Sequence, residues 1–444
     1  MRHAKSLELL GVPTVALTAE NVSRYVSGYD RLYSNGMPIR LVSFPLPVAG
    51  VPGSVHEMYV SGDDPVTGKP ILQSVVEGLT KPLRADETQM GIPPAGAPQP
   101  RLLPADTEEN QQQLFRDKDW TDYGPIVLPT EQRVAAMLRG TSRKPDEVIK
   151  TITYPGGARK LTVERAAICA VMAGAKPAHL PVILAIATQV PFGNSLTSMA
   201  NAIIVNGPIR KELMMNSGGN AMGPHNEANS VIGRTYTLMS KTVGNLHNGV
   251  TTFGSLGSNL QYNNLCIAEN EENLPPGWLP LSQQFGYKPV DSVVSVATGW
   301  SYISCVGEAQ PQYPSHLLMR DYMKALSGLG SGATVFMDPL VAKMLHDLQS
   351  FSTKEQLGQW LAANVKIPAA QYWGNGVVTT FNWTLGLQGL EPYATWQKIP
   401  QDQLIQPFSN AKSINTVVVG GQTNTLWFVT DFRIGKGILV DDWR

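Results

Sequence analysis

Residues 202–234 read AIIVNGPIRKELMMNSGGNAMGPHNEANSVIGR, two apolar runs enclosing five asparagines, two arginines, two Gly-Pro turns and a Gly-Gly pair. A core rejects that polarity, and a loop has no need of the apolar runs. A buried amide or guanidinium without a partner costs about 1–3 kcal/mol. So dense a cluster has to be mutually hydrogen-bonded, hydrated or occupied by a ligand, which makes the stretch the wall of a polar pocket. Locally it predicts a strand over 202–205 that runs into Asn206-Gly207-Pro208, a glycine-rich loop over 216–223, and a helix over 226–241. The Gly218 and Gly219 amides, just ahead of a helix N-terminus, form an anion seat. The spacing matches neither the dinucleotide fingerprint nor a P-loop.

The next polar group comes after an apolar strand-like start in CIAENEEN, which supplies Glu269, Glu271 and Glu272. Carboxylates at a strand's end suit proton transfer, or pairing with Arg210 or Arg234; a solvated acidic loop is the bland alternative. Cys266 adjoins them, and acidic neighbours raise a thiol's pKa. His225 and His247 flank the stretch as possible proton carriers. The seven histidines never fall at metal-ligand spacing, and Cys169, Cys266 and Cys305 contain no C-x-x-C. A metal site or disulfide framework carried by this chain alone is therefore not expected. No G-x-S-x-G elbow occurs.

Elsewhere short apolar runs alternate with helical periodicity. Strands are expected at 14–17, 39–44, 290–297, 333–337, 415–421 and 426–430. Helices are expected at 18–33, 71–79, 130–140, 162–173, 314–326, 339–349 and 354–363, the last capped by Thr353. Parallel strands with helical crossovers imply an α/β fold of doubly wound, mostly parallel sheets, with ligands beyond the strands' carboxyl ends. The organisation expected is an incomplete N-terminal α/β domain over 1–87, a Pro/Gly-rich linker or arm over 88–155, and a larger α/β domain over 156–444 that carries the pocket. No period of 20–50 residues recurs.

Charge narrows the partners. The 35 basic residues balance 35 acidic ones, so nothing marks a nucleic-acid or anionic-membrane surface. Charged residues total 16%, below the ~25% usual for soluble domains, which suggests a surface covered by other subunits. No uncharged apolar run reaches about 18 residues and no signal sequence opens the chain, so a cytoplasmic location is expected.

The blocks GVPTVALTAENV, IRLVSFPLPVAGV, YVSGDDPVTGKPILQSVVEGLTKPL, VNGPIRKELMMNSGGNAMGPHNEANSVIGR and CIAENEE resemble consecutive segments of the larger proteins of the UGSC-type family. That family is named for a selenocysteine- or cysteine-Gly-Ser-Cys motif on an N-terminal α/β domain. The resemblance covers about 4–90 and 160–300 and implies thiol or selenol redox chemistry. The motif should precede Gly11, and this chain contains none. It looks like a member divided just after its redox motif, the missing α/β unit being supplied by a smaller subunit, or one that has lost the redox group.

The expected enzyme is then hetero-oligomeric. Asn206, Arg210, Asn216 and Asn220, with the Gly218 and Gly219 amides, hold a small polar or carboxylate-bearing substrate. Arg234 orients Glu269 or Glu271, one of which moves protons, with Cys266 and His225 as further catalytic candidates. The partner's thiols cleave or reduce a carbon–heteroatom bond. Two alternatives stay open: a metal-dependent hydrolase or hydratase whose ligands come mainly from the partner, and a non-catalytic binding or scaffold subunit. No cofactor motif lies in this chain.

Overall fold

The structure, a computed structural model, describes residues 7–8, 10–20, 23, 40–46, 48, 51–82, 101–154, 157–190, 199–244, 246, 256–306 and 310–444. Most of the helix expected over 18–33, the linker stretch 88–100 and His247 lie outside the described residues.

In the N-terminal region β1 (Val15–Ala19) and β2 (Arg40–Phe44) pair parallel, Val15 opposite Arg40 and Ala19 opposite Phe44. Helices α1 (Gly53–Ser61) and α2 (Ile71–Thr80) follow. Arg40 ties the pair to α2 by donating to the carbonyls of Gly78, Lys81 and Pro82 at 2.7–2.9 Å, a cation set at a helix C-terminus where the backbone dipole favours it. Little apolar surface is buried here. Helix α1 has no buried residue, and α2 buries Ile71 alone.

The segment expected to be a linker contains, where described, α3 (Glu108–Asp117), α4 (Glu131–Leu138) and the first strand of the hairpin β3 (Val148–Tyr154) and β4 (Gly157–Thr162). Thr107 and Thr130 cap the helices by accepting from Asn110 and Arg133 backbone N–H groups. Phe115, Val134, Met137 and Ile152 are buried with α5 (Val163–Ala173) and α6 (Leu180–Ala187) in one core. Each helix has one apolar face, and a helix of that kind is stable only when the face is covered. Residues 101–154 are thus a packed layer and not a tether.

The remainder is built from β5 (Ala200–Asn206), α7 (Glu227–Thr242), β6 (Leu265–Ala268), β7 (Val293–Gly299), β8 (Tyr302–Val306), α8 (Ser315–Met323), β9 (Ala333–Met337), α9 (Pro339–Asp347), α10 (Lys354–Asn364), the two-residue β10 (Ile367–Pro368) and β11 (Leu404–Ile405), β12 (Ile414–Val418), β13 (Leu426–Thr430), β14 (Arg433–Ile434) and β15 (Ile438–Leu439). One sheet has β5 between β6 and β7, with β14 and β15 both on the far side of β7; the other runs β12-β9-β13-β8. Alternation along each strand sorts side chains to two faces. Ala200, Ala202 and Ile204 of β5 meet Phe336 of β9, Val417 of β12 and Phe428 of β13 in a core between the sheets. Ile203 and Val205 face α5, α6 and α7, while Val335, Val418 and Val429 face α8, α9 and α10. The result is four layers: helices, sheet, sheet, helices.

The α/β class is as expected, but the sheets are mixed. Among the described residues β1–β2, β5–β6 and β9–β12 are the parallel pairs, and the other pairings are antiparallel. The two large sheets also share one plan. In the first, Val205 stands opposite Ala268 on its parallel side and Val294 on its antiparallel side. In the second, Met337 stands in the same way between Val418 and Trp427. Glu269 N–H donates to Val205 C=O and, equivalently, Val419 N–H to Met337 C=O. The outer strands are exchanged: β7 leads into β8 of the second sheet, and β13 leads into β14 and β15 of the first. No helix among the described residues is long and apolar enough to cross a membrane.

Candidate functional site

Both parallel pairs of the large sheets end at the same place. Asn206 closes β5, and the chain turns at Gly207, whose φ of +82° and approach to Asp291 C=O, where a Cβ would lie at 2.1 Å, admit only glycine. A single helical turn, Ile209–Glu212, then brings Arg210 back under the strand end. Glu269 is the first residue past β6.

Glu269 is fully buried and meets four donors. Its Oε1 accepts from Lys354 Nζ at 2.5 Å and Val418 N–H at 3.4 Å, and its Oε2 from Asn206 Nδ2 and Leu281 N–H, both at 2.7 Å. Glu271 accepts from Asn206 Nδ2 and Gly207 N–H, each at 2.8 Å, and from Arg210 Nη2 at 2.9 Å. Arg210 also donates to the Glu269 carbonyl at 2.7 Å and to both Glu272 oxygens. The Arg210 guanidinium, helped by Lys211, holds the Glu272 carboxyl down at about 2. Asn206 gives both of its amide contacts to carboxylates through Nδ2, and its buried Oδ1 has no partner.

Lys354 comes from the other sheet's helices. It is the first residue of α10, where the helix dipole disfavours a cation, and it is 2% exposed. The Glu269 carboxylate is what makes that position tenable. A buried pair of this kind adds little net stability over apolar packing, but removing one partner strands the other. Its effect here is to fix how the two sheets meet at their carboxyl ends.

The glycine-rich loop beside this centre is knitted by its own asparagines. Asn216 Nδ2 donates to Gly219 C=O and Asn226 Oδ1, and Asn216 Oδ1 accepts from Gly218 N–H. Asn226 donates to Asn220 and Gly223 carbonyls, Asn229 to those of Asn216 and Ala221, and Asn220 to Pro224 C=O. The loop lies against the end of β12, where Gly420 N–H donates to Ser217 C=O at 2.8 Å. A Cβ on Gly421 would sit 2.9 Å from Gly219 Cα, so the two loops cross at bare backbone.

The structure therefore brings together Asn206, Arg210, Glu269 and Glu271, and sets Gly218 and Gly219 beside a second Gly-Gly pair. It departs from expectation at six positions. The amides of Asn216 and Asn220 are spent on their own loop, as is the Gly218 N–H of the expected anion seat. Arg234 pairs with Asp122 at 2.8–2.9 Å and with Pro125 C=O at 2.7 Å, and not with Glu269 or Glu271. Burial raises the Asp122 carboxyl, and the Arg234 contacts outweigh it and leave it below its ordinary value. Cys266 is buried under α7 beside Gly233, and burial pushes its thiol up to about 12, which keeps it neutral. His225 is exposed, with φ +77°, on the loop before α7, and no hydrogen bond joins it to the glutamates among the described residues.

Lys354, the Leu281 and Val418 amides, and Asp122 were not legible as site residues. Lys354 alone left a trace, as a lysine directly after a helix N-cap. Among the described residues no group of three or more His, Cys, Asp or Glu side chains is placed to hold a metal ion. Chemically, Glu269 is sealed, and Glu271 and Glu272 form the part of the cluster open to a ligand.

No family model, no curated protein and no solved structure matches the chain.

Proposed function

We propose that the chain is the larger subunit of a hetero-oligomeric enzyme acting on a small polar or carboxylate-bearing substrate. The observation that carries the reading is the N-terminal region, among whose described residues a two-stranded parallel sheet is accompanied by a helix, α1, that buries nothing. Parallel strands are stable when both faces are covered, and two strands alone do not suffice. Leu10, Leu17, Met58, Leu72 and Val76 are exposed large hydrophobics on this unit. A partner that adds a strand and covers those side chains completes a doubly wound domain and removes the exposed edge. The substrate binds where the strand ends of the two large sheets converge, with Glu271 and Glu272 at its edge and Arg210 fixing them.

The resemblance to UGSC-type proteins gives the partner a pair of thiols. In the reaction proposed, a carbon–heteroatom bond of the substrate takes up two electrons and protons, leaving C–H and the protonated leaving group, while the two thiols become a disulfide. The test is turnover, by the isolated chain and by the chain with its co-purified partner, of small carboxylates bearing an amino, hydroxy or thioether substituent. Activity should need the partner and be abolished by alkylating its thiols. Equal turnover by the chain alone rules the reading out.

A second reading, a non-catalytic scaffold subunit, is favoured by the closure of the Glu269 network, in which each charge is answered within the protein. Arg210→Ala and Glu271→Gln would then change assembly or ligand affinity and leave the rate of the complex intact.

A further inference from the structure

On the helical side of the first sheet lies a cavity of about 1190 Å³ that shares no residue with the Asn206–Glu271 centre. Its floor is apolar: Phe115 of α3, Ile168 and Met172 of α5, Leu128, and Val243 just past α7. The polar groups among them, Cys169 Sγ and Thr242 Oγ1, meet each other at 3.4 Å, so the floor asks for no polar ligand. The stretch 101–104 forms one side. It is tied to α5 where Arg101 donates to Glu164 at 2.7 Å, and to α3 where Gln111 donates to Pro104 C=O at 2.7 Å. Between those ties Leu102 and Leu103 line the cavity and stay 50% and 37% exposed, apolar surface that the protein itself leaves uncovered.

Charge gathers at the rim. Arg133 of α4, Arg159 of β4 and Arg165 of α5 donate to the carbonyls of Leu128, Thr242 and Lys160 at 3.0, 3.1 and 2.7 Å. A carbonyl orients a guanidinium and leaves its charge standing. Among the described residues Arg133 and Arg165, both exposed, make no ion pair. With Arg101 and Lys118 the lining holds five cations against three carboxylates, Asp106, Glu108 and Glu131, and Glu131 lies 3.7 Å from Arg101.

We propose that this cavity binds an amphipathic carboxylate, its apolar chain on the floor and its head at the arginines of the rim. The volume is that of a small-molecule site, whose usual range is ~300–1,000 Å³, and an apolar lining with a few placed polar groups is the usual character of one. A small inorganic anion would leave the floor in contact with water, and an uncharged apolar molecule would leave the guanidiniums unanswered. A chain that ends in a carboxylate uses both, because the guanidinium fork matches two carboxylate oxygens.

The experiment is calorimetric titration of the full chain with hexanoate, octanoate and decanoate below their micellar concentrations, and with decanol as the uncharged control. It is run on wild type, on Arg133→Gln/Arg165→Gln and on Ile168→Trp, which fills the cavity; circular dichroism and thermal melting check that each variant is folded. Wild type should bind decanoate at one site per chain, with affinity rising about fourfold for each CH₂ added. The paired glutamine variant should bind decanoate about tenfold more weakly and leave decanol binding unchanged, a split that a general loss of structure would not produce. Folded Ile168→Trp should bind neither. Absence of decanoate binding, an affinity that does not depend on chain length, decanol bound as tightly as decanoate by wild type, or undiminished decanoate binding by the glutamine variant overturns the proposal. Should Ile168→Trp fail to fold, the chain-length series and the glutamine pair decide alone.

Discussion

Asn206 and Asp338 occupy the same position in two sheets of one plan, each the residue after the strand position that lies between a parallel and an antiparallel neighbour. Asp338 behaves as the position suggests: it caps α9 by accepting from Val341 N–H at 2.9 Å and also accepts from Leu426 N–H. Asn206 caps no helix and donates to Glu269 and Glu271. The next pair diverges similarly, with Glu269 in one sheet and Val419 in the other making the same backbone contact. One strand end carries a structural cap, and its counterpart carries a polar centre. The lesson is that the backbone plan sets where side chains converge, and two substitutions decide whether convergence yields a helix start or a charged cluster.

Lys354→Met should have the largest effect. It leaves the Glu269 carboxylate buried against three neutral donors, and should cost about 3–5 kcal/mol in urea unfolding. Adding Glu269→Gln should return a good part of that, because the charge goes and the acceptor stays. A cost from Lys354→Met below about 1 kcal/mol would mean that the pair does not join the sheets. Asn206→Ala comes next, at about 1–3 kcal/mol, since both glutamates lose a donor. Asp338→Ala, at the equivalent position, should cost about 1–2 kcal/mol as a lost cap. If it costs more than Asn206→Ala, the contrast between site and cap fails.

The smallest effect separates the two regions by pH. Asp122, which anchors α7 through Arg234, has its carboxyl lowered from 3.8, so its contribution is present above the unfolded value and is lost as pH falls through the folded one. Asp338 is raised from 3.8 by burial, against its backbone hydrogen bonds, so its charged form carries a penalty at higher pH that is relieved as pH falls. Unfolding midpoints between pH 3 and 6, values that bracket about 3.9 for an unperturbed Asp, give the check. The difference between wild type and Asp122→Asn should shrink on acidification, and that between wild type and Asp338→Asn should shift in favour of wild type.

Much of the local structure can be read from the chain. Thr353 caps the helix that follows, 333–337 and 426–430 are strands as their apolar runs between Gly, Asp and Thr suggest, and Gly174 ends α5 with φ +84°. What is not legible depends on pairing across distance. Antiparallel β7 and β13 beside parallel β6 and β12 leave no local mark, because an apolar strand buried on both faces looks the same in either direction. The shared plan of the sheets is held in register and connection, and Asn206 against Asp338 or Glu269 against Val419 is no sequence repeat. At the site, Asn206, Arg210 and the glutamates are visible as polar residues at strand ends, but Lys354 reaches Glu269 from the far side of the sequence. Arg234 finds Asp122 in a segment whose composition suggested a tether.

The exchanged outer strands bear on how the molecule comes apart. Since β8 edges the sheet centred on β9, and β14 with β15 edges the sheet centred on β5, neither sheet can lose its border without pulling on the other's chain. The two sheets then have no independent melting of their own. A cut in the connection between β8 and β9 would give two fragments, each carrying an edge that belongs to the other, so that reassembly of the pair, and not the folding of either piece, would restore the core.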